Sequence, residues 1–229
     1  MESIDKVKGT YEKKIAECEK NPVSVAVIRR LPRYHRYLGE LIREGRLRIS
    51  SAELSKIMGV TASQIRQDFN CFGGFGQQGY GYSVSQLKEE ISNILGLNHG
   101  YKAILIGAGN FGTAVAKHLD FKKLGFELVG GFEIDREKFG ETLGDIVIRD
   151  EAELESFCTE NHVDAAFLCV PRQNVESTLE RLYRLGIKCY WNFSHYDISA
   201  KYSDTVVENV HLSDNLMTLC YRMTNRGKQ

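Results

Sequence analysis

Apolar and polar positions follow one pattern in the second half of the chain and another in the first. After residue 99, short and mainly apolar runs alternate with segments in which apolar residues recur every three or four positions. The runs are typical of strands buried on both faces, and they lie at 103–106, 126–132, 146–148, 163–170 and 187–193. The segment from Asn174 to Leu185, with Gly186 after it, has the spacing of an amphipathic helix. This alternation predicts a parallel, doubly wound sheet.

Helical spacing prevails before residue 99. A first helix is expected to begin near Pro32 and to end before Gly45, and its apolar stripe consists of Leu31, Tyr34, Leu38, Leu41 and Ile42. The segments Ser50-Ser51-Ala52-Glu53 and Thr61-Ala62-Ser63-Gln64 have the form of capping boxes, which mark helix starts. Gly59 separates the two helices that they begin. Three helices with a tight turn between the second and third predict a helix-turn-helix.

The third of these helices, predicted from Ala62 to Phe72, would be the recognition helix. Its Ile65 and Phe69 are expected to face the core. The side chains expected to face outward can bind base edges and phosphates, and they are Ser63, Gln64, Arg66 and Gln67. Five glycines lie between Phe72 and Tyr82 and predict a hairpin-like wing beside the helix.

Charge supports a nucleic-acid partner for the first half. The whole chain has a net charge of zero, but residues 22–87 hold nine Lys and Arg against four Asp and Glu. A basic domain is the usual footprint of phosphate contact. A small helical interaction domain with a solvated basic face is the alternative interpretation.

A glycine motif follows the strand predicted at 103–106. It reads Gly107-Ala108-Gly109-Asn110-Phe111-Gly112, and a helix is predicted after it, from Thr113 to Leu119. In a dinucleotide site, the first glycine permits the turn, the second lets a pyrophosphate approach, and the third lets the helix pack on the strand. The helix N-terminus would face the phosphates. A glycine-rich turn that binds another ligand or none is the alternative.

Glu133 ends the next predicted strand, where a carboxylate can bind both ribose hydroxyls. It would also repel a 2′-phosphate, so NAD is favoured over NADP, although Arg136 weakens that inference. Ligands of such sheets bind beyond the carboxyl ends of the strands. Val170-Pro171 and Asn192-Phe193 are therefore candidate neighbours of a nicotinamide.

Together these segments resemble the Rex family of redox-sensing transcriptional repressors over about residues 25–223. The matching stretches are Arg30-Leu31-Pro32-x-Tyr34, Ile49-Ser50-Ser51-Ala52-Glu53-Leu54, Gln64-Ile65-Arg66-Gln67-Asp68-Phe69, Phe72-Gly-x-Phe75-Gly76, Gly79-Tyr80-Gly81-Tyr82, Gly107-Ala-Gly-Asn110-x-Gly112 and Asn192-Phe193. Each stretch is modest alone, but their order and spacing are specific.

The resemblance implies a homodimer that binds a palindromic operator in double-stranded DNA, with NADH releasing it and NAD⁺ permitting binding. It also implies an α/β fold with an N-terminal winged helix-turn-helix, a C-terminal Rossmann-like parallel sheet domain and a terminal swapped helix at about Asp214 to Met223. The expected divisions are a charged extension at 1–21, the DNA-binding domain at 22–98, the NAD(H)-binding domain at 99–209, and the dimerisation helix and tail at 210–229.

Three positions depart from the family pattern. Gln77-Gln78 stands in the wing where family members often have Lys-Arg. His211 takes the place of an Asp that pairs with an Arg of the first domain, for which Arg30 is the expected counterpart. Lys117 or His118 replaces a Tyr on the first helix of the Rossmann domain.

The candidate site residues form two sets. Cofactor binding is expected from Gly107, Ala108, Gly109, Asn110, Phe111, Gly112, Glu133, Val170, Pro171, Asn192 and Phe193. DNA binding is expected from Arg30, Ser50, Thr61, Ser63, Gln64, Arg66, Gln67, Gln77, Gln78 and Tyr80.

Other features argue against some classes of protein. No apolar run approaches the roughly 20 residues of a membrane span, and no signal-peptide pattern is present, so a cytoplasmic protein without a membrane partner is expected. The six cysteines are scattered without a Cys-x-x-Cys pair, and no metal is expected.

A dehydrogenase with His195 as base is the competing function, but few residues remain for a substrate domain. A coenzyme A sensor is the third alternative, and replacement of Glu133 would discriminate it from an NADH sensor.

Overall fold

The structure, a computed structural model, describes residues 23–72, 76–77 and 80–226. A boundary between Asn98 and His99 divides the chain into two units. The predicted extension at 1–21 lies outside the described residues, and so does Gln78 of the predicted wing. Of Gln77, only the backbone is described.

The first unit is a winged helix-turn-helix. Its helices are α1 (Val25–Ile28), α2 (Leu31–Arg43), α3 (Ser51–Met58), α4 (Ala62–Asn70) and α5 (Val84–Ile94). Its strands are β1 (Arg48–Ile49), β2 (Gly76–Gln77) and β3 (Gly81–Ser83). They form an antiparallel sheet in the order β1-β3-β2, so the hairpin predicted for the wing is confirmed where it is described.

The core of this unit joins α2 to the recognition helix α4. Tyr34, Ile65 and Phe69 are fully buried, and the rings of Tyr34 and Phe69 meet edge to face at 5.0 Å. Two details of the prediction were wrong. Ile42 is 42% exposed because it lies beside the apolar stripe, and α4 ends at Asn70 instead of Phe72.

The second unit contains the predicted parallel sheet. Its strands are β4 (Tyr101–Ile106), β5 (Phe126–Glu133), β6 (Thr142–Leu143), β7 (Ile146–Asp150), β8 (Ala165–Leu168), β9 (Cys189–Asn192) and β10 (Val206–Asn209). Their order is β10-β9-β8-β4-β5-β7-β6, and all neighbours pair in parallel except β6 with β7. The helices are α6 (Asn110–His118), α7 (Leu154–Glu160), α8 (Arg172–Arg184), α9 (Ile198–Lys201) and α10 (Leu212–Thr224).

Both faces of this sheet are buried, as the mainly apolar runs indicate. Along β4, Ile104 and Ile106 join one apolar cluster, whereas Ala103 and Leu105 join another. The edge strands β6 and β10 were not predicted. β6 has two residues, and β10 has one partly buried position and no buried one, so neither has an apolar run.

The last helix, α10, agrees with the predicted terminal helix to within two residues at its start. Its apolar side chains are exposed, including Leu216 at 64%, Leu219 at 52% and Met223 at 65%. None of its residues is buried within the chain. The helix therefore presents an apolar face that the described residues of this chain do not cover.

Candidate nucleotide site and nucleic-acid interface

The glycine loop after β4 has three glycines with three different surroundings. Gly107 has φ +87°, and a Cβ there would lie 2.8 Å from Val170 Cγ1. A Cβ at Gly112 would lie 2.0 Å from the carbonyl oxygen of Gly107. A Cβ at Gly109 would meet nothing closer than 4.0 Å. Gly107 and Gly112 are therefore required by the fold, whereas the space over Gly109 is open to a ligand.

Two charged groups flank the open space over Gly109. Glu133 Oε2 and Lys138 Nζ each lie 4.0 Å from the Cβ position at Gly109. Glu133 Oε1 accepts hydrogen bonds from the backbone N–H groups of Ile134 at 2.8 Å and Asp135 at 3.4 Å. Oε2 is therefore the oxygen turned toward the glycine loop, as a ribose-binding carboxylate requires. The sequence reasoning missed Lys138, since its approach to Gly109 depends on the turn after β5.

Backbone hydrogen bonds hold the loops beyond β4, β8 and β9 side by side. Gly107 donates to Phe132 at 2.9 Å, Cys169 donates to Ile106 at 2.8 Å, and Phe193 donates to Leu168 at 3.0 Å. The expected juxtaposition of the glycine loop, Glu133, Val170 and Phe193 at one sheet edge is thus present. Pro171 is the N-cap of α8 and is exposed. Ala108, within the loop, is buried, and Asn110 is exposed at the start of α6.

An aromatic group completes this edge. The rings of Phe111 and Phe193 meet edge to face with centroids 5.0 Å apart, and Trp191 packs on Phe193 at 4.6 Å. Phe111 is 40% exposed, so the pair forms a partly open apolar surface beside the glycine loop. Such a surface suits the flat apolar face of an aromatic ring.

Asn192 lies at the carboxyl end of β9, as expected, but its side chain points into the protein. Its side chain is fully buried, and its Nδ2 donates to Tyr196 O at 2.9 Å and to Asn209 Oδ1 at 2.7 Å. Its Oδ1 accepts from the N–H and the hydroxyl of Ser194. These bonds join β9 to β10 and to the turn after Phe193. Asn192 thus orients the loop, and direct contact of its side chain with a cofactor stays a prediction.

Two histidines meet at the same turn. His195 has φ +59°, the one non-glycine residue with positive φ in the described ranges. Its Nδ1 lies 2.6 Å from Nδ1 of His211, and the rings stack at 4.8 Å. His211 is the N-cap of α10. The pair therefore connects the loop after β9 to the start of the last helix.

The recognition helix α4 has a side-chain cap at its N-terminus. Thr61 Oγ1 accepts from the Gln64 N–H at 3.1 Å, so Thr61 caps the helix. The predicted second half of this capping box is wrong, because the Gln64 amide donates to Asp68 Oδ1 at 2.9 Å. At the start of α3 the full box between Ser50 and Glu53 is present.

Arg30, Tyr34 and Gln64 converge on Asp68. The Nε and Nη2 atoms of Arg30 each lie 2.7 Å from a carboxylate oxygen of Asp68, and the Tyr34 hydroxyl donates at 2.9 Å. Burial raises the pKa of Asp68, but the hydrogen bonds from Arg30, Gln64 and Tyr34 outweigh it, and the net pKa is lowered. Burial, together with the bond to Asp68, raises the pKa of Tyr34.

Within the first unit, the guanidinium of Arg30 binds Asp68 in a bidentate pair. The family resemblance pairs an Arg of the first domain with an Asp just before the last helix, a position that His211 takes in this chain. Sequence reasoning missed Asp68 because a carboxylate in a polar helix predicts exposure. Its place three residues after Ile65 and beside Phe69 was the available signal.

The remaining candidates for DNA contact lie on the surface. Ser63, Arg66 and Gln67 are exposed on α4, and Arg66 Nη1 donates to Ser51 Oγ at 3.1 Å. At the base of the wing, Tyr80 is 71% exposed, and Arg48 binds its carbonyl oxygen at 3.2 Å. Whether these residues touch DNA stays a prediction, as it does for the wing glutamines Gln77 and Gln78.

Within the described ranges, two kinds of feature are absent. No helix there is long and apolar enough to cross a membrane. Over the same residues, no group of three or more His, Cys, Asp or Glu side chains is arranged to hold a metal ion.

Comparison with known proteins decides the family. The redox-sensing transcriptional repressor Rex of Caldanaerobacter subterraneus subsp. tengcongensis is 53% identical over 205 residues, which cover 90% of this chain and 91% of that protein. The protein of the same name from Clostridium tetani is 50% identical over 91% of this chain and 98% of its own length. This chain belongs to the Rex family.

Solved structures and family profiles agree with that assignment. A crystal structure of RSP in complex with β-NAD⁺ and operator DNA is 52% identical, with a TM-score of 0.81 over 90% of this chain and 94% of that one. A structure of RSP with β-NADH is 48% identical, with a TM-score of 0.82 over 91% and 97%. A profile described as "Putative DNA-binding protein N-terminus" matches residues 22–70, and one described as "CoA binding domain" matches residues 98–196. The Rex fold expected from the resemblance is confirmed.

Proposed function

We propose that this Rex protein is a DNA-binding transcriptional repressor that senses the ratio of NADH to NAD⁺, and that NADH releases it from its operator. The observation that carries the proposal is the open space over Gly109, flanked by Glu133, in a chain that also has a winged helix. About half of its residues are identical to relatives named as redox-sensing repressors.

The sheet edge has the groups that a dinucleotide requires. Gly109 leaves room for a pyrophosphate at the N-terminus of the nine-residue helix α6, whose dipole favours an anion. Glu133 Oε2, which lies 4.0 Å from the Cβ position at Gly109, would accept hydrogen bonds from the adenosine ribose. The pair of Phe111 and Phe193 offers an apolar surface to the nicotinamide ring. The signal would be the redox state of the bound nicotinamide, which is reduced in NADH and oxidised in NAD⁺.

The first unit supplies the DNA contacts. The helix α4 would enter the major groove, with Ser63, Arg66 and Gln67 toward bases and phosphates, and the wing would lie beside it. Two copies, joined through the exposed face of α10, would match a palindromic operator. Release requires that NADH bind the released state more tightly than the DNA-bound state.

We infer that the chain is not an enzyme. The relatives are named transcriptional repressors, and a dehydrogenase would need an acid or base at the nicotinamide. His195 was the best candidate for that base, and one of its ring nitrogens is held by His211. The domain limits predicted above and a cytoplasmic location belong to the same proposal.

The test is operator binding measured by fluorescence anisotropy at fixed salt, with NADH, NAD⁺ or coenzyme A added. Release by NADH alone is expected. Binding that is indifferent to both nicotinamide forms would contradict the sensing proposal. Release from the operator by coenzyme A, to the same extent in wild type and in Glu133→Ala, would instead favour coenzyme A as the ligand.

A further inference from the structure

Asp68 is a buried carboxylate in the middle of the recognition helix. Its side chain has no exposure, and four donor atoms surround it at 2.7–2.9 Å. A buried ion pair is often no more stable than apolar residues of similar volume at the same place. Packing alone therefore does not explain why α4 has a carboxylate here.

The network fixes how α4 is held. Arg30 precedes α2, and its guanidinium binds both oxygens of Asp68. Tyr34, in the first turn of α2, binds Oδ2 as well. A bidentate pair constrains direction as well as distance. The rotation of α4 about its own axis is thus tied to the start of α2.

The network also fixes the amide of Gln64. An ionised carboxylate only accepts hydrogen bonds, so Gln64 must turn its Nε2 toward Asp68, one helical turn away. Its Oε1 then faces away from Asp68, and no described residue donates to that oxygen. Gln64 is half-buried and is the third residue of α4. The N-terminal residues of recognition helices are those that reach base edges.

We propose that Asp68 is a positioning residue for operator recognition, which holds Gln64 so that its Oε1 accepts a hydrogen bond from an amino group on a base edge. In the major groove such amino groups belong to adenine N6 and cytosine N4. A glutamine without Asp68 could turn either end of its amide to the base. The inference rests on the proposed function, since it needs a sequence-specific operator.

The first test compares full-length wild type with Asp68→Asn on two duplexes at the same salt concentration. One duplex is enriched by the wild type from a random-sequence pool, and the other is its scrambled counterpart of equal composition. We expect the ratio of the two affinities to fall about tenfold in Asp68→Asn. Affinity for the scrambled duplex should hold, because the phosphate contacts are untouched. Partial unfolding would lower both affinities together.

Matched variants test whether Asp68 affects operator recognition by positioning Gln64. Asp68→Asn should add little in a Gln64→Ala background, because the group that it positions is gone. Tyr34→Phe removes a donor to Oδ2 but leaves the Oδ1 that holds Gln64, so it should keep the ratio. An affinity ratio that Asp68→Asn leaves unchanged would overturn the inference. So would a fall in the ratio that is equally large in the wild-type and Gln64→Ala backgrounds.

A second measurement does not depend on the folding of Asp68→Asn. Each adenine of the enriched duplex is replaced in turn by purine, and each cytosine by 2-pyrimidinone, so that single amino groups are lost. One position in each half-site should weaken binding by the wild type and leave binding by Gln64→Ala unchanged. If no such position exists, the inference fails. If the wild type enriches no sequence, the proposed function itself fails.

Discussion

A Cβ at Gly112 would lie 2.0 Å from the carbonyl oxygen of Gly107, whereas a Cβ at Gly109 would be free of close contacts. The same motif thus contains glycines required by the fold and one left open to a ligand. Substitutions at the two positions should consequently have different effects.

Gly109→Val should weaken NADH binding by about tenfold or more, since its side chain would occupy the space for the pyrophosphate. Its thermal unfolding should stay near that of wild type. Gly112→Ala should instead lower the unfolding temperature, because the loop and α6 must separate. Calorimetry of both variants and titration with NADH distinguish the outcomes. Full NADH affinity in Gly109→Val would contradict the assigned site.

Trp191 should report NADH binding. It is the only tryptophan of the chain and lies 4.6 Å from Phe193. The dihydronicotinamide absorbs where tryptophan emits, so NADH should quench Trp191 and emit by energy transfer, whereas NAD⁺ should not gain emission. Trp191→Phe is the control, which should bind NADH without sensitised emission. An equal signal in that variant would place the transfer elsewhere.

Asp68 should make the stability of the first unit depend on pH in the acidic range. Its pKa is lowered in the folded protein, below the unfolded value of about 3.9. The ionised carboxylate therefore contributes stability above pH of about 4, and this contribution is lost as the pH falls through the folded pKa.

Asp68→Asn should accordingly cost roughly 2–4 kcal/mol in the free energy of unfolding at pH 7. Urea titrations at decreasing pH should show the difference from wild type shrinking. Asp145→Asn is a suitable control, since Asp145 and its partner Lys122 are largely exposed. A pH-independent difference for Asp68→Asn would argue against an ionised Asp68.

The exposed face of α10 should join two copies of the chain. Leu216→Glu places a charge on the stripe formed with Leu219 and Met223, so it should weaken self-association. Thr218→Glu adds the same charge on the polar side of the helix and should have little effect. Sedimentation velocity over a range of concentrations compares them. Equal association of both variants would mean that another surface forms the dimer.

Much of the candidate nucleotide site at the carboxyl ends of the strands could be predicted from short stretches of sequence. The glycine loop, Glu133, Val170 and Phe193 were expected at one edge, because parallel strands carry their carboxyl ends to the same side. The side chain of Asn192, another candidate neighbour of the cofactor, is buried and donates to Tyr196 and Asn209, and its contact with a cofactor stays a prediction. Whether a polar residue faces a ligand or a neighbouring strand does not follow from its position after a strand.

The fold class, the order of the main elements and the glycine motif follow from short stretches of sequence, since periodicity, caps and turns depend on residues that are close in the chain. The partners of residues far apart in the chain depend on the tertiary structure. Arg30 and Asp68 are 38 positions apart, and His195 and His211 are 16 apart. The periodicity of the sequence does not indicate which distant residue a charged or polar side chain will bind. Only packing of α2 against α4, and of the loop after β9 against α10, brings these groups within hydrogen-bond distance.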